Sequence, residues 1–187
     1  MPLLPPTAPR VRLHQRQVTL DGYKRADGMW DLEAHLVDCK DQTYRLASGV
    51  RQPGEAVHDL WVRVTIDGEM NILAAEASAD ATPYPGFCDT ITPAYRRIVG
   101  LNLFRGFRPA VRELLGGTHG CAHLSELLMF LPTAALQTFA SEISEDDDQD
   151  GQPPYQIDRC HALVSDSDAV KRYYPRWYRD QSPGQGA

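Results

Sequence analysis

Blocks of positive charge are missing from this sequence: 19 lysines and arginines are dispersed among 187 residues, against 25 acids, for a net charge of −6. Proteins that bind nucleic acid gather cationic side chains on one face to displace phosphate counterions, so nucleic acid is not an expected partner. Long apolar runs are missing too. None approaches the ~20 residues of a membrane-spanning helix, and residues 1–10 are proline-rich without an apolar signal core; the expectation is a cytosolic protein with no membrane partner. The 4 cysteines include no Cys-x-x-Cys pair. In a reducing compartment such widely spaced thiols are free, catalytic or metal-binding rather than disulfide-bonded. There is also no internal repeat, phosphate-cradling glycine loop or nucleophile elbow, which removes nucleotide enzymes and ordinary hydrolases.

What is present is an ordinary globular composition, 42% hydrophobic and 24% charged, over a length suited to one domain with a substantial core. The expected organisation is a single domain over residues 1–187, with an extended N-terminal tail (1–12), an acidic linker (142–154) and a C-terminal extension (155–187). The linker is expected from six acids between Glu142 and Asp150, with no apolar residue after Ile143. A run of like charge without apolar residues has no core to join, and its spacing does not fit a calcium loop.

From Trp30 the pattern alternates, Trp30, Leu32, Ala34 and Leu36 against Asp31, Glu33 and His35, as in a strand with one buried side. Asp27-Gly28 before it predicts a tight turn, with Val18 to Tyr23 as a weaker partner strand. His58 to Ile66 alternates again, Asp67-Gly68 supplies a hairpin turn, and Met70 to Ala77 returns. Thr82 to Asp89, with Pro83, Pro85 and Gly86, is expected to be a loop ending at Cys88. Three helices should follow: Thr92-Pro93 to Val99, Arg108-Pro109 to Gly116, and Gly120 to Phe139, the last kinked or split by Pro132. A short strand is expected through Cys160 to Val164. The fold class is therefore α+β: an antiparallel β-meander of three or more strands with a helical layer packed on one face.

Chemistry is concentrated in Gly116-Gly117-Thr118-His119-Gly120-Cys121-Ala122-His123-Leu124-Ser125-Glu126. Cys121 falls at a helix start, where unpaired N–H groups and the positive end of the helix dipole favour the thiolate. His119 and His123 flank it. His58-Asp59 opens a strand and Cys88 ends a loop, and in a sheet covered by helices such segments share one end of the layer. Thiolate, imidazole and carboxylate together suit zinc or iron. Cys39 reads as a small core residue, Cys160-His161 as structural, and His14 and His35 as surface residues.

The order of strand, Asp-Gly hairpin, strand, cysteine-bearing loop and cysteine at a helix start resembles the iron–sulfur cluster assembly scaffold family (NifU-type N-terminal domains) over residues 56–131. Val57-His58-Asp59, Phe87-Cys88-Asp89, and Gly120-Cys121 with Leu124-Ser125-Glu126 stand at that family's motif positions. The resemblance implies a scaffold-like fold and a site built on Asp59, Cys88 and Cys121, completed by His58, His119 or His123. Val57 stands where the scaffolds have their first cysteine, so an all-cysteine cluster is not available. The chain also looks like an uncharacterised bacterial domain family of unknown function. Three readings follow: an accessory or carrier protein for zinc, iron or an iron–sulfur cluster; a cysteine-dependent enzyme with Cys121 as nucleophile; or a metal-free domain that binds a protein partner.

Overall fold

The computed structural model describes residues 3–140, 153–154 and 156–180. The chain divides into two compact units, Met1–Phe139 and Ala140–Ala187. The acidic run lies outside the described residues.

The first unit is built on a four-stranded antiparallel sheet of β1 (His14–Lys24), β2 (Trp30–Lys40), β5 (Ala56–Ile66) and β6 (Ile72–Ala81), in the order β1-β2-β5-β6. A small hairpin, β3 (Tyr44–Leu46) and β4 (Gly49–Arg51), fills the connection between β2 and β5. Strand alternation sends Leu32, Ala34 and Leu36 of β2 and Leu60, Val62, Val64 and Ile66 of β5 to one side, where all are buried. The strands expected in this unit are present, and β1 is a full eleven-residue strand.

The covered side packs against α1 (Phe107–Leu115) and α2 (Ala122–Ala140), and Val111, Leu115, Leu124, Leu127, Leu128 and Leu131 join the strand residues in a single core. Burying such side chains, each contributing ~1.5–3 kcal/mol, is what holds the helical layer on the sheet. The α+β class with a meander and a one-sided helical layer is therefore the observed architecture. Two helical boundaries differ from expectation. The first helix is a 3-10 segment, Asp89–Ile98, that begins before Thr92 and carries Pro93 inside it. The long helix runs on through Pro132 to Ala140, with Pro132 itself buried in the core. Close approach of α2 to β1 depends on Gly22, where any Cβ would collide with the Thr138 side chain.

The second unit contains α3 (Asp168–Tyr173), whose N-terminus is capped by Ser167 Oγ accepting from the Val170 amide at 3.2 Å. Its expected strand is absent: His161–Leu163 is a single 3-10 turn. Asp158, in the left-handed region at φ 59°, donates its N–H to the Leu163 carbonyl at 2.8 Å, and its carboxylate accepts the Ser165 amide at 2.8 Å. The loop thus satisfies its own backbone groups and has no use for a ladder partner. Among the described residues, no helix is long and apolar enough to cross a membrane.

Candidate metal centre

The row that buries Leu32, Ala34 and Leu36 continues to Asp38, which alternation places on the same covered side and which is only 4% exposed. A buried carboxylate is costly unless its lone pairs are met. Its two register neighbours meet them: Arg16 on β1 and His58 on β5 stand directly opposite Asp38. Arg16 donates Nε to Oδ1 at 2.8 Å and Nη2 to Oδ2 at 2.9 Å, the bidentate fork that suits a carboxylate. His14 Nε2 lies 2.9 Å from Oδ1 and His58 Nδ1 3.0 Å from Oδ2. Burial works toward the neutral acid, but Arg16, His14 and the adjacent His58 outweigh it and hold the carboxyl well below the usual carboxylate range.

Because Asp38 is ionised, its Oδ2 can only accept, so His58 Nδ1 carries the proton. The lone pair of the neutral ring is then on Nε2. The His123 ring, from the first turn of α2, lies with its centroid 4.0 Å from that of His58 at a 35° tilt. Asp38, His58 and His123 each offer a donor atom within 4.8 Å of the others, and they are the only such group of three or more among the described residues. Burial lowers the pKa of both rings. His58 is pushed further down by His123, and His123 by Arg16, against the opposing pull of Asp38. Both imidazoles are therefore neutral near pH 7, the state in which a ring nitrogen is a ligand or a base.

Cys121 stands beside this group, with Sγ 3.9 Å from His123 Nδ1. Its position is set from below by Tyr95, a fully buried phenol on the 3-10 segment. Tyr95 Oη accepts the Cys121 N–H at 3.0 Å and donates to the Cys121 carbonyl at 2.9 Å, and Ser125 Oγ lies 3.0 Å away. The same carbonyl accepts the Ser125 amide at 2.9 Å and so starts the α2 ladder. Gly120 lets the chain pass under the end of α1, since a Cβ there would strike the Leu115 carbonyl oxygen. A tie from above completes the frame: Arg16 Nη1 donates to Glu126 Oε2 at 2.6 Å, linking β1 to α2.

Of the residues expected to share a site, the fold brings together His58 and His123, with Cys121 alongside. It places three others elsewhere. Asp59 is one position out of phase with His58, so it points to the opposite side of the sheet, where Oδ1 lies 2.6 Å from His35 Nε2 and the His35 ring stacks on Trp61 at 3.6 Å. Cys88 precedes the 3-10 segment, its amide bonded to the Tyr84 carbonyl at 3.0 Å, and is not in the group. His119 is exposed in the single turn Gly117–His119. Of the two histidines expected at the surface, His14 is exposed and His35 half-buried, and each holds a carboxylate.

Asp38, Arg16 and His14 were not legible as site residues from motif spacing, yet one signal was available. Extending the Leu32-Ala34-Leu36 row by one step puts an acid on the core side, and such an acid demands a cationic neighbour on the next strand.

Residues 14–137 match the family model described as Protein of unknown function (DUF2889), a span that takes in every residue of the cluster. No curated protein and no solved structure matches the chain.

Proposed function

The chain belongs to the DUF2889 family, whose function is unknown, and from its buried carboxylate and paired imidazoles we propose that it is a metal-binding accessory or carrier protein. The ion is a borderline divalent cation, zinc or ferrous iron. The observation that carries this reading is the convergence of Asp38, His58 and His123, from two strands and a helix, within 4.8 Å. Arg16 occupies both Asp38 oxygens, so Asp38 acts as the orienting carboxylate that fixes the His58 tautomer and aims Nε2 outward. His58 Nε2 and a His123 ring nitrogen are the imidazole ligands, and the Cys121 thiolate is the soft donor beside them. A set of two nitrogens and one sulfur suits zinc or iron and leaves a position for water or a receiving protein's ligand.

Cobalt substitution tests it. Chelator-treated protein titrated with Co²⁺ should take up one ion per chain, with visible ligand-field bands and a near-ultraviolet sulfur-to-cobalt band that Cys121→Ser removes. His58→Ala with His123→Ala should abolish uptake, and Asp38→Asn should weaken it by ~10–100-fold. Uptake far below one ion per chain, or uptake indifferent to the double substitution, would sink the reading.

The 3.9 Å contact between Cys121 Sγ and His123 Nδ1 favours a second reading, an enzyme with Cys121 as nucleophile and His123 as its base. Iodoacetamide should then alkylate Cys121 at least ~10-fold faster than Cys39, Cys88 and Cys160, and His123→Ala should remove that advantage. Equal alkylation of the four thiols, or an advantage unmoved by His123→Ala, refutes it.

A further inference from the structure

The two edges of the sheet are treated differently. At the β6 edge the chain is tied down: the Ile72 amide donates to the Leu101 carbonyl at 2.8 Å, the Gly100 amide donates to the Ile72 carbonyl at 2.8 Å, and Asn71 bridges to Asn102. The β5–β6 ladder is also interrupted by irregularities at both ends. Among the described residues the β1 edge has none of these devices. It is eleven residues long, free of proline, in unbroken register with β2, and no strand among the described residues pairs with its outer side. A long, regular, unprotected edge is a template for another strand. Beside it runs a groove of about 530 Å³ between β1 and α2, lined by Leu20, Gly22, Phe130, Ala134 and Thr138 among others, and Phe130 is 41% exposed there.

We propose that this edge is a homodimer interface, in which β1 pairs antiparallel with β1 of a second copy about a two-fold axis at Thr19 and joins the two sheets into one of eight strands. The sequence of β1 selects that partner. A two-fold axis perpendicular to the sheet keeps both helical layers on the same side and pairs residues whose numbers sum to an even total. With the axis at Thr19, all eleven residues are paired, from His14 opposite Lys24 to Lys24 opposite His14. On the helix side Val18 meets Leu20, and Arg16 meets Gly22, over which the Thr138 side chain packs. On the open side Thr19 meets Thr19, Gln17 meets Asp21 and Gln15 meets Tyr23. Apolar residues thus face each other at the centre, β-branched Thr packs on itself at the axis, and every pair inside the two ends avoids like charges. Moving the axis to Leu20 would instead set Arg16 against Lys24. The Leu20 and Phe130 surfaces of the two copies meet beside the axis, which closes both grooves. The interface stands on the strand edge and does not depend on a metal at Asp38, His58 and His123.

Sedimentation equilibrium on the full chain at micromolar concentration should give twice the chain mass of 20.9 kDa. Thr19→Lys, an exposed position, places two like charges on the axis and should return the mass to that of one chain, with the thermal unfolding curve still cooperative. Phe130→Glu, on the other side of the sheet, should act the same way. A wild-type mass of one chain throughout the micromolar range overturns the proposal, as does a folded Thr19→Lys variant that remains dimeric.

Discussion

Asp38→Ala is expected to lower the free energy of unfolding by ~3–5 kcal/mol, the cost typical of removing one partner from a buried ion pair. The substitution deletes an acceptor for four hydrogen bonds and leaves Arg16, His14 and His58 facing a cavity on the covered side of the sheet. Arg16 retains Glu126, but that carboxylate is half-exposed and cannot replace a 4% exposed one. The matched control is Asp59→Ala, one residue out of phase with His58, where His35 loses a partner on the open side; there the loss should stay within ~1 kcal/mol, as for other part-exposed pairs. Urea denaturation of both variants measures the difference. An Asp38→Ala variant within ~1 kcal/mol of the parent would mean that the carboxylate does not hold β1, β2 and β5 together.

Acid should unfold the chelator-treated protein in two stages. His58 and His123 have folded pKa values pushed below ~6.5, both by burial, His58 also by His123 and both by Arg16, so below that pH the unfolded chain binds more protons than the folded one. Stability is then full above ~6.5 and falls as pH drops from there toward the folded values. Asp38 has the opposite chemistry with the same consequence at lower pH: its pKa is depressed, so its contribution is present above the ordinary carboxylate range and is lost as pH falls through and below it. Melting temperature against pH should decline from about pH 6.5 downward and steepen below about pH 4. In the His58→Gln, His123→Gln double variant the upper decline should flatten while the lower one persists. An upper decline of equal slope in that variant would place the titrating groups elsewhere.

Much of the fold was legible because its signals are local. Strand alternation at Trp30 to Leu36 and His58 to Ile66 needs only a period of two, and the apolar stripe after Cys121 only a helical period. Where local rules failed, longer-range packing had intervened. Pro132 predicts a kink or a split in the last helix; no split occurs, because Pro132 is buried and α2 continues past it, so tertiary burial outweighs the lost backbone bond. Cys160 to Val164 has β-branched and apolar residues, but Asp158 satisfies the surrounding backbone first.

The site was half legible for a related reason. His58, Cys121 and His123 were candidates because their residue types and positions at element starts suggest chemistry. Asp59 joins them through the scaffold resemblance and its place next to His58, but adjacency on a strand means opposite sides. Asp38 has no motif around it: its partners, Arg16, 22 residues before it, and His58, 20 residues after it, become neighbours only through strand register.

The sequence alone determined the class of the fold, the covered side of each central strand and the approach of Cys121 to a helix start, since each follows from periodicity and from the backbone demands of glycine and proline. Tertiary structure alone decided which ionisable groups meet. Charge and hydrogen bonding act through space over a few ångströms, and only the register of β1, β2 and β5 beneath the first turn of α2 brings Arg16, Asp38, His58 and His123 within that distance.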